Sequence, residues 1–302
     1  VSRVIVVGAG VVGLSCAVRL LEAGHRVDVV ARDLPLETTS SVAAALWYPY
    51  RAWPEDRVLA WGARTFEVLE ALAGDPGAAT GVRMVPGTEV LGAATPDPWW
   101  AGAVPGLVRA APPAGYADAW SFVAPVVEMP LYLRWLAQRV EQLGGTLTRL
   151  NLATLPSGGD LVVNAAGLGA RLLGADTSVA PVAGQVVHVA QVGLERWWLD
   201  ADGPTYVVPR SGDIVVGGTA VEGEWSRTPS PATAEAIVRR ASRLVPELAD
   251  APVLRHKVGL RPARPAVRLE REGRVVHCYG HGGSGVTLSW GCAEEVVSLA
   301  GD

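Results

Sequence analysis

Lysine is almost missing from this 302-residue chain: Lys257 is the single one among 26 basic residues, and arginine supplies the rest. With 30 acidic residues the net charge is −4, which leaves no electrostatic footprint for nucleic acid. Three cysteines (Cys16, Cys278, Cys292) make neither a disulfide framework nor a zinc spacing along the chain, so a reduced, cytoplasmic setting is expected. Long apolar runs are absent too: none approaches the roughly 18 residues that span a bilayer. No basic n-region or cleavage site precedes Val4-Ile5-Val6-Val7, so no secretory signal is expected. The histidines (His25, His188, His256, His277, His281) show no ligand spacing, so no metal is expected, and no Gly-x-Ser-x-Gly elbow appears.

What is present is apolar and small. The hydrophobic fraction is 49%, the mean hydropathy +0.25, and glycine occurs 35 times. Such a chain is not disordered and is long enough for a large core.

Residues 4 to 33 carry the clearest pattern. Val4 to Val7 read as a strand buried on both faces. Gly8-Ala9-Gly10-Val11-Val12-Gly13 follows, then Leu14, Ala17, Val18 and Leu21 at the i, i+3, i+4, i+7 spacing of a helix packed on a sheet. Gly24 ends that helix and Arg26 to Val30 form a second strand. Strand, glycines, helix and strand together are the dinucleotide-binding fingerprint in its required context. The first glycine permits the tight turn, the second admits the pyrophosphate, and the third lets helix and strand approach. An acidic residue is expected about 20 positions on, at the ribose. Asp33 stands there, with Arg32 beside it as an alternative contact to phosphate.

Beyond it, Thr38-Thr39-Ser40-Ser41 followed by Val42-Ala43-Ala44-Ala45-Leu46 pairs hydroxyls with small residues. That combination suits either a phosphate contact or an ordinary N-cap. Trp47, Tyr48 and Tyr50 line a pocket or bury area. A helix is expected over 54 to 72, loops and short strands over 74 to 120, and an amphipathic helix from Met129 to Leu143. Asp160 to Gly167 reads as a further buried strand, and 182 to 280 as β-rich, interrupted by a helix from Pro231 to Leu244. Near the end, Tyr279-Gly280-His281-Gly282-Gly283-Ser284-Gly285-Val286-Thr287 reads as a strand–loop–helix junction with exposed backbone amides. In Gly259-Leu260-Arg261-Pro262-Ala263-Arg264-Pro265, an arginine held by an adjoining proline offers a fork for a carboxylate. Residue chemistry alone leaves Arg261 and Arg264 as equal candidates.

These blocks together resemble the D-amino-acid oxidases, flavoproteins that include the D-aspartate oxidases. The resemblance runs from the Val-Ile-Val-Val-Gly-Ala-Gly segment through Thr38-Thr39, Thr205-Tyr206-Val207-Val208-Pro209 and Gly217-Gly218-Thr219. It continues through the Arg261 and Gly282 blocks to Trp290-Gly291-Cys292-Ala293. It implies an α/β fold: a Rossmann-type FAD-binding domain (1–50, 129–180, 272–302) interleaved with a β-rich mixed-sheet substrate domain (51–128, 181–271). The cofactor would be FAD, held by Gly8, Ala9, Gly10, Val11, Val12, Gly13, Arg32, Asp33, Thr38, Thr39, Ala44, Ala45, Leu46, Leu152, Ala166 and residues Gly282, Gly283, Ser284, Gly285, Val286 and Thr287. Arg261 matches the arginine that grips the substrate carboxylate, Tyr206 a tyrosine hydroxyl on the same carboxylate, and Gly283 the carbonyl that receives the amine. The reaction implied is hydride transfer from Cα to flavin, reoxidation by O2 to hydrogen peroxide, and hydrolysis of the imino acid to a 2-oxo acid and ammonia.

Partners expected on this basis are a small D-amino acid and O2, without nucleic acid or membrane, and a homodimer is a candidate assembly. The chain departs from the animal members in placing Asp202 where they have a second tyrosine, Tyr48 where they have glutamine, and Ala45 where they have glycine. Its 199–206 segment is short, which points to a reduced lid. Neutral D-amino acids are favoured; a D-aspartate oxidase, and more remotely an NAD-dependent dehydrogenase, are the alternatives.

Overall fold

The computed structural model describes residues 1–75, 77–203 and 205–301. The N-terminal fingerprint folds as β1 (Arg3–Val7), α1 (Val11–Glu22) and β2 (Arg26–Ala31). A long helix α2 (Glu55–Ala73) leads to strand β3 (Val82–Leu91), a short β4 (Val108–Arg109) and β5 (Asp118–Val127). Next come α3 (Met129–Gln142), β6 (Thr146–Arg149), β7 (Leu161–Asn164) and the one-turn α4 (Ala170–Leu173). The β-rich part contains β8 (Ala180–Ala190), β9 (Trp197–Asp200), β10 (Thr205–Pro209), β11 (Asp213–Gly217) and β12 (Val221–Glu222). Helix α5 (Pro231–Leu244), strands β13 (Val253–Glu272) and β14 (Val275–His281), and α6 (Gly285–Gly301) complete the chain.

One continuous sheet carries all of this, in the order β4-β5-β3-β9-β10-β11-β8-β13-β14-β7-β1-β2-β6. From β14 to β6 the neighbours pair in parallel, as buried βαβ crossovers require. From β13 back through β10 to β9 they pair antiparallel. The α/β class with a mixed sheet expected from sequence is thus observed. The join is β13, which pairs β8 through Ala263 and β14 from Ala263 onward. Register shifts between Ala263 and Arg268, where Pro265 has no N–H to give, and the Val267 N–H instead donates to the Trp53 carbonyl at 2.8 Å.

Helix α1 packs between α3 and α6, and α2 lies against α6. Contact there is close: a methyl group at Gly291 would sit 2.4 Å from Trp61 backbone. On the antiparallel part, alternation divides the side chains. Val187, Val207, Ile214 and Val216 pack beneath Ile237 and Ala241 of α5, while Tyr206 and Leu199 pack against the main core on the other face.

The expected loop region, 74 to 120, differs. It contains β3 and the start of β5, each ten residues long and paired along its full length. Pro86 and Gly87 interrupt β3 and hide its pattern; a methyl group at Gly87 would lie 2.0 Å from the Trp197 ring, so glycine is needed for packing. No helix among the described residues is long and apolar enough to cross a membrane.

Candidate active site

A cavity of about 600 Å³ opens at the carboxyl ends of β1 and β7 and runs toward the antiparallel sheet. Its narrow end is the fingerprint. Gly8 has φ +118°, and a methyl group there would lie 2.3 Å from the Ala165 carbonyl oxygen; one at Gly13 would lie 2.0 Å from that of Gly8. Side chains at these two positions would force apart the strand, turn and helix that form the phosphate cradle. The α1 N-terminus points its first, helically unpaired N–H groups at the same place, and among the described residues only the Val11 N–H is engaged, by Ser40 Oγ at 3.1 Å. No acidic residue occupies that first turn, which leaves the positive helix end open to an anion. A dinucleotide phosphate fits this donor set.

The sequence candidates divide. Gly8 to Gly13, Arg32, Asp33, Thr38, Thr39, Leu152, Ala166, Gly282, Gly283, Gly285 and Val286 line the cavity, as do Tyr206 and Arg261. Ala44, Ala45, Leu46, Ser284 and Thr287 lie outside its lining. Ser284 Oγ donates to the Tyr50 carbonyl at 2.8 Å. Thr287 Oγ1 accepts from the Tyr48 N–H at 3.1 Å and donates to its carbonyl at 3.0 Å. Their hydroxyls therefore lock the 45–50 segment to the glycine loop. Ala45 takes φ +59° and its carbonyl accepts from Val127 N–H, which turns that segment back onto β5. Asp33 is held by its own neighbour, Arg32, at 3.0 and 2.6 Å. The Arg32 bonds outweigh partial burial and keep its carboxyl below the usual range.

At the far end, Arg261 and Arg264 separate. Arg264 turns away to an ion pair with Asp176 at 2.8 Å and a bond to the Ala266 carbonyl. Arg261 lines the cavity, its Nη1 donating to the Thr219 carbonyl at 2.9 Å. Its guanidinium lies flat over Gly184, where any side chain would meet it at 2.3 Å. Tyr206 occupies the equivalent space over Gly217, close to Arg261. Burial pushes the Tyr206 phenol up and the Arg261 charge opposes this only in part, so it remains a protonated donor at neutral pH. Gly283 closes the group: a methyl group there would approach Tyr50 Cδ1 at 2.9 Å and Arg261 Cδ at 3.6 Å. Thus a fixed cation, a phenol and a bare backbone turn converge at one end of the cavity.

Tyr50, which the sequence leaves open between lining a pocket and burying area, packs against Gly283 outside the cavity lining. Arg227, on the loop after β12, reaches the cavity rim near Asp33 and was not singled out from sequence. It stands in no local motif; only the chain's return onto the cavity reveals it. Across the sheet, Tyr206 is in register with Leu199, and Leu199 with Glu89. Glu89 is buried and accepts a 2.5 Å hydrogen bond from Tyr48 Oη. Burial pushes its carboxyl up to about 7. The two arginines near the Tyr206 segment are committed elsewhere. Arg210 is buried against Asp213 at 2.7 Å, and Arg196 bonds Thr88 and Ser121 hydroxyls. The connection from β9 to β10 spans only residues 201 to 204, in line with the short 199–206 segment.

Comparison with known proteins agrees with this geometry. Residues 3–299 match the family described as FAD dependent oxidoreductase. The chain is similar to the D-amino-acid oxidase of Rubrobacter xylanophilus, 56% identical over 100% of this chain and 96% of that protein. It is similar also to the D-amino-acid oxidase of Streptomyces coelicolor, 47% identical over 99% and 96% respectively. Among solved structures, glycine oxidase from Geobacillus kaustophilus shares the fold with a TM-score of 0.84 at 23% identity, covering 100% of this chain and 95% of that one.

Proposed function

Because the chain belongs to the FAD dependent oxidoreductase family, we propose that it is a flavin-dependent D-amino-acid oxidase acting on neutral D-amino acids. The observation that carries this is the convergence of Arg261, Tyr206 and Gly283 at the end of the cavity away from the fingerprint. FAD, when bound, supplies the two-electron oxidation of the Cα–N bond, with O2 as final acceptor and hydrogen peroxide as product.

The chain's own contribution is orientation. The Arg261 guanidinium pairs with the substrate carboxylate, its position fixed by the Thr219 carbonyl and by the flat surface of Gly184. The Tyr206 hydroxyl donates to the same carboxylate. The Gly283 backbone receives the amine, and the three contacts fix the chirality of the bound Cα. The 1–50, 129–180 and 272–302 segments hold the cofactor, and the 51–128 and 181–271 segments the amino acid.

Preference for neutral side chains is supported by charge. An acidic side chain needs a second cation, and Arg196 and Arg210 are both engaged elsewhere. Glu89, on the same face as Tyr206, adds an acid rather than a base. A panel of D-amino acids with L-isomers as controls, read by peroxide release, tests the proposal. Turnover of D-valine and D-alanine above D-aspartate is expected; peroxide only from D-aspartate, or from L-isomers, would sink it.

A further inference from the structure

The proposed chemistry leaves one group of reactive side chains unused, behind the glycine loop. Cys278 lies on β14 beside Cys16 of α1 and Cys292 of α6, and His281 ends the same strand. The Cys278 and Cys292 sulfurs and a ring nitrogen of His281 all lie within 4.8 Å of one another. The thiols are free, and none of the four side chains is more than 4% exposed. Among the described residues, His281 Nε2 is buried without a hydrogen-bond partner. A buried polar atom left unpaired loses its hydration with nothing in return, so an absent partner accounts for its retention in a core.

We propose that Cys278, Cys292 and His281, with Cys16 as fourth donor, form a binding site for one soft divalent cation of the zinc class. Three thiols and an imidazole are a donor set of that class, and nothing in it suits a hard cation. Tetrahedral zinc has bonds of about 2.3 Å to sulfur and about 2.0 Å to nitrogen, so its donors stand under roughly 4 Å apart. For Cys278, Cys292 and His281, within 4.8 Å of one another, side-chain adjustment of about an ångström brings the donors to that spacing. Binding displaces the thiol protons. A disulfide would use two sulfurs and leave the imidazole orphaned, so the donor count favours a cation. The chain positions 16, 278, 281 and 292 form no linear motif because a strand and two helices remote in sequence bring them together.

The test uses the purified flavoprotein kept reduced, without substrate, so its outcome is independent of the oxidase proposal. Metal content is measured against flavin absorbance, followed by zinc(II) titration against a chromogenic chelator. About one zinc per chain, or uptake of one equivalent, is expected. Cobalt(II) in its place should give thiolate charge-transfer and d–d bands to the red of the flavin. Cys278→Ala and His281→Ala should each weaken binding by more than the roughly 10–100-fold that loss of an outer-shell partner costs. Absence of metal and of uptake, with all three thiols titrating in denaturant, overturns the proposal. So does the loss of two thiols to a disulfide. The wild-type titration decides even if the variants fail to fold.

Discussion

Replacing Glu89 by glutamine should make the protein more stable in mild alkali and leave it nearly unchanged in mild acid. Glu89 is 4% exposed, and its partner is the Tyr48 hydroxyl, not a cation. Burial lifts its carboxyl from 4.5 to about 7. The folded chain therefore keeps a proton that the unfolded chain has released over that window. Stability must fall as pH rises from about 4.5 to about 7, and the full cost is present above it. At 1.36 kcal/mol per unit, the upper bound is about 3 kcal/mol. Glutamine cannot ionise and still accepts from Tyr48. For a chain of this size roughly 2 °C per kcal/mol is reasonable, so a gain of about 3–6 °C is expected at pH 8.5 and little or none at pH 4.5. Flavin-saturated thermal melts of both proteins at matched scan rates, over this pH range, make the comparison. A difference that stays flat with pH, or turns negative as pH rises, would refute the reasoning. Tyr48→Phe removes the bond that restrains the shift and should steepen the decline.

Further outcomes follow from the site and its supports. Arg261→Ala should lower kcat/KM for D-alanine by a factor of about 30 or more, the about 2–5 kcal/mol of a lost charge partner, chiefly through KM; Tyr206→Phe should cost about tenfold or less because the arginine remains. Gly13→Ala should abolish flavin retention on gel filtration, since its methyl group would meet the Gly8 carbonyl oxygen at 2.0 Å. Asp213→Asn should destabilise by about 3–5 kcal/mol in urea titrations, because it leaves the buried Arg210 unpaired. The Asp213 carboxyl is pushed up by burial but held down more strongly by His188 and Arg210. Its contribution is present above about pH 4 and lost on further acidification, and the variant should show a shallower acid decline.

The parts of the molecule governed by local pattern were legible in the sequence. The fingerprint, α3 and α5 come from periodicity and glycine spacing, which report on contacts a few residues apart. Strands β3 and β5 were not, since Pro86 and Gly87 interrupt the alternation and the reason for Gly87 is Trp197, far along the chain. The choice between Arg261 and Arg264 illustrates the same limit. Both follow the same local rule, and only Asp176, brought close by the turn after α4, removes Arg264 from the cavity. Ser284 and Thr287 are expected at the cofactor from the family resemblance, and that their hydroxyls meet the Tyr50 and Tyr48 carbonyls shows only once those distant residues are placed. Tyr50 itself acquires its setting from β10 and the glycine loop, which arrive more than a hundred residues later.

Strand β13 also determines where the chain can change length. Between Arg255 and Ala263 it is paired residue for residue with β8. A single insertion or deletion there would turn Arg261 from the cavity to the opposite face while leaving its identity intact. Irregularities flank this stretch on both sides, between Val253 and Arg255 and between Ala263 and Arg268. Length variation among related chains should therefore collect at those two joints, with the nine positions between them (255 to 263) kept free of gaps however far the residues themselves diverge.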